Sequence, residues 1–325
     1  MRIETRLIAG GHAAKGLAHV PPIDLSTTYR TPDLHEAVAS MEALADGEAV
    51  AANPIYARLA NPTVRAFEDR MTQVEQGADS VAFSSGMAAV SALLLAASER
   101  GHHVVAVPPL YGGTLHLLES GLLGTRVTWA APDEVEDAIE ADTGLVLVET
   151  PANPTLTLTD IEALVEAAGR VPVAVDSTFA TPVLQQPLAL GASYVLHSAT
   201  KFIGGHGDAM GGVITTSDLG LSRRLRQVRI ATGAVLHPLA AHLFSRGLKT
   251  LAMRVRVQQE NADALASRLR AHPEVLAVGY PGSTDAERAV VSRQMAGSGT
   301  MIALRLRGGP ARADAFIGAL RLAVP

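Results

Sequence analysis

From Val64 onward the chain alternates two hydrophobic rhythms. Short runs of Val, Leu and Ala at residues 104–107, 145–148, 173–175 and 194–196 are apolar throughout, as in buried strands. Between them, apolar residues recur three and four positions apart, as on helices packed against a core. This alternation predicts an α/β protein with a mostly parallel sheet between helices. Each run ends in polar residues or in Gly and Pro. Open sheets of this kind bind ligands beyond the carboxyl ends of their strands, so those ends are the expected seat of chemistry.

The flanks follow other patterns. Pro21-Pro22, Thr31-Pro32 and Asn53-Pro54 interrupt any long helix in the first 60 residues, which predicts an arm reaching over another surface, such as a partner subunit. Residues 238–269 keep an unbroken helical spacing, with Arg254, Arg256 and Glu260 on a charged face, and a domain boundary is placed within this helix. The expected division is an arm over 1–55, a large α/β domain over 56–250 and a smaller α+β domain over 251–325 that reads as shortened.

Composition narrows the function class. Of the 325 residues 48% are hydrophobic, enough for a sizeable core, while the apolar runs stay well below the roughly 20 residues that cross a bilayer. The absence of cysteine excludes disulfides, a thiol nucleophile and thiolate metal sites. A net charge of −5 lacks the basic bias of a nucleic-acid binder. The N-terminus carries no apolar run before a small-residue cleavage site, so a cytoplasmic location is expected. Neither the His102-His103 pair nor His197 and His206 have metal-ligand spacing, and no metal site is expected.

The sharpest local signal is Val195-Leu-His-Ser-Ala-Thr-Lys-Phe-Ile-Gly-Gly-His-Gly-Asp208, a strand leading into hydroxyl residues, a lysine and glycines. Lysine is scarce here, with three (Lys15, Lys201 and Lys249) against 24 arginines, which marks Lys201 at a buried strand end as a candidate imine-forming amine, with an ordinary loop lysine as the alternative. Asp176 closes another apolar run 25 residues earlier; it can pair with a protonated ring nitrogen or simply cap the next helix. Ser84-Ser-Gly-Met87 reads as a strand, a small-residue turn and a helix start, whose Gly86 and Met87 amides can face an anion unless a serine there serves only as a cap. Ser198 and Thr200 add hydroxyl donors, and Tyr56 with Arg58 can come from the arm. Tyr111, with glycines behind it, suits stacking on a flat ring, or packing in the core. The chain has no Gly-x-Gly-x-x-Gly, no Walker loop and no Gly-x-Ser-x-Gly elbow.

Together these segments resemble the Cys/Met-metabolism (trans-sulfuration) family of fold-type I pyridoxal-phosphate enzymes. The resemblance rests on seven motifs in order: Tyr56-Ala-Arg-Leu-Ala-Asn-Pro-Thr63, Ser84-Ser-Gly-Met87, Tyr111-Gly-Gly-Thr114, Glu149-Thr-Pro-Ala-Asn-Pro154, Val175-Asp-Ser-Thr178, Ser198-Ala-Thr-Lys201 and Arg246-Gly-Leu-Lys-Thr250. It implies the fold-type I transferase fold, with Lys201 linked to pyridoxal 5'-phosphate as an imine and Asp176 at the pyridine nitrogen. It also implies that Tyr111 stacks on the ring, that Asn153 and Thr178 lie near its edge, and that Gly86, Met87, Ser198 and Thr200 hold the phosphate. Tyr56 and Arg58 would bind the phosphate of a neighbouring subunit's cofactor, in a homodimer with shared sites, usually within a tetramer.

Within the family the motifs look closest to methionine γ-lyases and cystathionine γ-lyases. The implied reaction is α,γ-elimination on a sulfur amino acid, giving a 2-keto acid, ammonia and a thiol, with Lys201, Tyr111 and Asp176 as the catalytic residues. The alternatives are γ-replacement on an activated homoserine and a cofactor-binding but inactive subunit. Two positions depart from methionine γ-lyases: Gly113 stands where many have cysteine, and Arg229-Ile230 stands where they usually carry Lys-Asp near the substrate. The family's Ser-Leu-Gly segment, His-Pro motif and carboxylate-binding arginine have no counterpart in these 325 residues, so no residue is assigned to the substrate carboxylate.

Overall fold

A computed structural model describes residues 1–9 and 20–322; part of the predicted arm, including Lys15, and the last three residues of the predicted C-terminal domain lie outside them. Seven strands form the main sheet: β1 (Asp79–Phe83), β2 (His103–Val107), β3 (Arg126–Trp129), β4 (Thr143–Glu149), β5 (Val173–Asp176), β6 (Tyr194–Ser198) and β7 (Gly212–Thr216). Their order is β1-β7-β6-β5-β4-β2-β3. β3, β2, β4, β5 and β6 pair in parallel, and β7 runs antiparallel to both its neighbours, β6 and β1. The four strands expected from apolar runs are all present, and the sheet is mostly parallel as expected. The pattern did not single out β7, whose Gly212-Val-Ile-Thr-Thr216 mixes glycine and hydroxyl residues.

The helices are α1 (Ile3–Ala9), α2 (Leu34–Ala45), α3 (Pro62–Glu75), α4 (Gly86–Ala97), α5 (Gly112–Glu119), α6 (Val135–Ala138), α7 (Ile161–Ala168), α8 (Thr181–Leu184), α9 (Leu219–Thr232), α10 (Pro238–Arg270), α11 (Asp285–Gln294) and α12 (Gly309–Gly318). Both faces of the sheet are covered, which is why its central strands read as continuous apolar runs. In β4, Leu145 and Leu147 join the cluster built around α4, while Val146 and Val148 join the one built around α7. Further along the second face, Ala82 and Val213 pack with Phe67 and Met71 of α3 and Phe244 and Leu248 of α10.

The prolines of the first 60 residues do not exclude helix between them. Asp33 accepts the Glu36 amide and starts α2, a 12-residue helix that fits between Pro32 and Pro54. At the other end, the first half of the 33-residue α10 belongs to the cluster beneath the main sheet. Its second half, through Ala262 and Ala266, packs on Tyr280 beside the two-stranded antiparallel sheet β8 (Val275–Gly279) and β9 (Ala303–Leu306).

Candidate active site

Because β7 is antiparallel to β1 and β6, the carboxyl ends of β1, β2, β4, β5 and β6 share one edge of the sheet. The Ser85 turn, Tyr111, Glu149, Asp176 and Ser198 follow or end these strands, and together with Lys201 they line one cavity of about 580 Å³. Residues drawn from five distant stretches of sequence therefore meet where an open sheet binds ligands.

At the anion end, Ser85 Oγ accepts the Ala88 amide and caps α4, so the plain cap is real. The Gly86 and Met87 amides ahead of it have no acceptor among the described residues and sit at the positive end of the helix dipole. A Cβ on Gly86 would lie 3.0 Å from the Ser198 side chain, so only glycine lets β6 approach this turn without a shift. Ser198 Oγ has no partner among the described residues, whereas the Thr200 hydroxyl donates to Gly211 O at 3.2 Å. Of the two hydroxyls expected to hold a phosphate, only that of Ser198 is uncommitted.

Asp176 and Glu149 are direct neighbours in the β4–β5 register. Asp176 Oδ1 accepts the Thr178 amide at 3.0 Å and the Thr178 hydroxyl, and Thr178 Oγ1 in turn accepts the Ser198 amide at 2.9 Å. Asp176 caps no long helix, since its bonds stay within this turn and its Oδ2 is left without a partner among the described residues. Glu149 is 6% exposed and accepts the Tyr111 amide at 2.6 Å and the Asn153 amide at 2.9 Å. Burial, and then the Asp176 charge, push the Glu149 carboxyl up to about 8 against the pull of those two amides. Burial likewise raises Asp176, against its Thr178 bonds and the neighbouring His197. No Arg or Lys forms an ion pair with either carboxylate among the described residues.

Lys201 lies in the turn after β6, where its side chain is exposed to the cavity. The strand that leads to it is buried as expected, and the lysine itself is exposed, because β6 ends at Ser198 and the chain turns outward. Lys201 has no ion-pair partner among the described residues. Tyr111 is half-exposed, and a Cβ on Gly113 would lie 2.6 Å from its Cε1 and 3.0 Å from Met87 Sδ, so the glycine gives the ring its place.

Tyr56 and Arg58 do not line this cavity. The Arg58 guanidinium sits 5.7 Å from the Tyr56 ring centroid and donates to Ile230 O at 2.9 Å, on the exposed side of the arm. Arg229 is also elsewhere: it is buried against Glu68 Oε1 at 2.6 Å beneath β1. Residues to which the sequence assigned no role in the site also line the cavity: Glu149, Phe179, Phe202, Met210, Arg254 and Met301. The Arg254 guanidinium donates to Phe202 O at 2.7 Å and Gly247 O at 2.9 Å, tying α10 to the turn that follows Lys201. For Glu149 a signal was present, a carboxylate closing an apolar strand, which is the same signal that marked Asp176. Among the described residues no three His, Asp or Glu side chains are grouped to hold a metal.

The donor set fits pyridoxal phosphate. Free amides and a free hydroxyl face one end, an unpaired amine stands at the mouth, and a carboxylate pair without a cation waits for a protonated ring nitrogen. Residues 4–324 match the family model described as "Cys/Met metabolism PLP-dependent enzyme". The chain is 53% identical over 323 residues to an L-methionine gamma-lyase of Brevibacterium sandarakinum, covering 98% of this chain and 82% of that one. It is 42% identical over 275 residues to a cystathionine gamma-lyase of Bacillus subtilis, covering 82% of this chain and 72% of the other. The crystal structure of metB from Corynebacterium glutamicum superposes with a TM-score of 0.91 at 35% identity, covering 100% of this chain and 84% of that one. A cofactor-shaped site at the expected strand ends, on the expected fold and with relatives of this identity, places the chain in the Cys/Met metabolism family of PLP-dependent enzymes.

Proposed function

We propose that this protein is a PLP-dependent carbon–sulfur lyase that carries out α,γ-elimination on methionine or a cystathionine-like thioether amino acid, as the printed names of its relatives suggest. The observation that carries this reading is the single cavity joining Lys201, Tyr111 and Asp176 to a wall of Met87, Met210, Met301 and Phe179. That wall is apolar and polarizable, suited to a thioether chain.

Pyridoxal phosphate, when bound, supplies an aldehyde that links reversibly to amines and a ring that draws electrons from the substrate's Cα. Gly86 N, Met87 N and Ser198 Oγ bind the phosphate. Asp176 holds the proton on the ring nitrogen, Thr178 fixes Asp176, and Asn153 borders the ring. Lys201 Nζ would take the Cα proton, and removal of a Cβ proton would then supply the electrons that expel the γ-sulfur. The Tyr111 hydroxyl would protonate the departing sulfur, and reprotonation at Cγ followed by water would release the 2-keto acid and ammonia. Tyr56 and Arg58, exposed and off their own chain's cavity, serve the phosphate of a neighbouring copy, in a dimer of shared sites within a tetramer. The arm, large domain and small domain divide at 55 and 250. No described helix is long and apolar enough to cross a membrane, and the reading includes a cytoplasmic enzyme.

The test is a panel of methionine, cystathionine and O-acyl homoserines, assayed for 2-keto acid with and without added thiol. Keto acid from a thioether without a nucleophile is the expected result. Product only when thiol is supplied assigns γ-replacement instead, and binding of cofactor without turnover of any substrate assigns an inactive subunit. Borohydride reduction followed by peptide mapping is expected to mark Lys201.

A further inference from the structure

Tyr111 and Asn153, assigned to the face and the edge of the ring, lie on different loops, one after β2 and one after β4. Their backbone amides converge on a single side chain. Tyr111 N donates to Glu149 Oε2 at 2.6 Å and Asn153 N to Glu149 Oε1 at 2.9 Å, so each carboxylate oxygen holds one loop. Glu149 is the last residue of β4, which is paired on both sides, and so offers both loops a rigid mount.

The loop after β4 is also held by Thr150 N on Asp176 O at 3.1 Å, Gln185 Nε2 on Thr150 O at 2.9 Å and Ala152 N on Thr157 O at 3.0 Å, which leaves the Asn153 amide to the clip. The Tyr111 loop has less to tether it. Tyr111 starts α5 without a side-chain cap, is followed by two glycines and is 46% exposed. The carboxylate that holds it has no cation within ion-pairing distance among the described residues and stands beside Asp176. An acid kept buried beside another acid costs stability unless something else is gained. Here the gain is placement: one group fixes both ring neighbours at once.

We propose that Glu149 is a positioning residue, a two-amide clip that sets Tyr111 and Asn153 over the cavity and so governs loss of the γ-substituent more than removal of the Cα proton. The second half of this statement rests on the elimination reading, because it is Tyr111 that serves the leaving sulfur there. Lys201, which takes the Cα proton, stands in the turn after β6 and makes no contact with the clip's two loops through Glu149.

The test uses Glu149→Gln, which keeps the volume and one oxygen acceptor but turns the other contact into two opposed donors, and Glu149→Asp, which keeps the charge with a shorter reach. In the cofactor-free protein, amide hydrogen exchange in peptides covering 108–114 and 150–156 is expected to quicken about 10-fold in Glu149→Gln, the free energy of one hydrogen bond. In the loaded enzyme, solvent exchange of the substrate's Cα proton is expected to stay within a fewfold of wild type. Keto-acid release falls about 100-fold, as for a group moved by an ångström. Glu149→Asp restores part of both. Unchanged amide protection overturns the clip, and so does a parallel fall of Cα exchange, keto-acid release and cofactor affinity. If the wild type exchanges the Cα proton but releases no keto acid, the elimination reading fails, and amide exchange in the cofactor-free protein still decides the clip.

Discussion

Two pairs of buried carboxylates lie in or against this sheet, and they are treated in opposite ways. Asp79, which opens β1, and Glu68, on α3 beneath it, are surrounded by arginines: Arg226 pairs with Asp79, Arg229 with Glu68 at 2.6 Å, and Arg65 with Asp79 at 2.9 Å. Burial works against the Asp79 carboxylate, yet its hydrogen bond to Arg226, followed by the charges of Arg226 and Arg65, brings it down to about 2. Glu149 and Asp176, at the ends of β4 and β5, have amides and a hydroxyl but no arginine, and both carboxyls are pushed up. The first pair completes its charge within the chain and ties α3, β1 and α9 together. The second pair is left short of one cation, at the place where a pyridinium would supply it. Structure and chemistry use the same residue type, and the difference lies in whether the protein provides the counterion.

The largest expected effect comes from removing charge at the uncompensated pair. Asp176→Asn takes away the partner of the ring nitrogen, and keto-acid release should fall on the order of 10²–10³-fold. The melting temperature of the cofactor-free protein should hold or rise, because a carboxylate kept in the fold at a cost has gone. A clear loss of stability in the cofactor-free protein would show that Asp176 is structural and break the contrast. Arg226→Met does the reverse. It leaves Asp79 and Glu68 one cation short, and urea unfolding should show a loss of about 3–5 kcal/mol, with keto acid released per folded molecule near wild type. Lost turnover in a protein that stays folded would couple this network to the site.

The two pairs also differ in how far sequence could see them. Asp176 and Lys201 were legible because each is a local event, a charged residue closing an apolar strand or following one within a few residues, and the parallel sheet was legible because burial on both faces leaves continuous apolar runs. Glu149 carried the same local mark, but its work depends on Tyr111, 38 residues away and on another loop. The arginine network was not legible at all. Arg226 meets Asp79 across 147 residues and Arg229 meets Glu68 across 161, and no spacing rule links a helix to a strand at that separation. Motif comparison marked Arg229 only as a departure from the family's Lys-Asp pair, and the structure shows it held under the sheet where α9 packs on β1. Tyr56 and Arg58 carried a motif mark too, but in the structure they lie off their own chain's cavity.

The smallest and most discriminating effects are in the pH profile, where the two pairs bend stability in opposite directions. Glu149 is raised in the fold, so the folded protein holds a proton that the unfolded chain releases above about 4.5. Stability of the cofactor-free protein should therefore fall as pH rises from there towards 8, by on the order of 3 kcal/mol, in urea titrations at pH 5 to 8. The slope should shrink in Glu149→Gln, leaving the part that the raised Asp176 contributes, and flatten on loading with pyridoxal phosphate, whose ring cation compensates the pair. Asp79 is depressed in the fold, so its contribution is complete above about 3.8 and disappears as pH falls through 2, a loss of about 2 kcal/mol. That acid limb should be the same with and without cofactor and absent in Asp79→Asn, because arginines of the chain itself hold the carboxylate. An acid limb that shifts on cofactor loading would mean that the β1 network and the β4–β5 pair act as one electrostatic unit, and the division between a pair that completes its own charge and a pair that waits for its ligand would no longer stand.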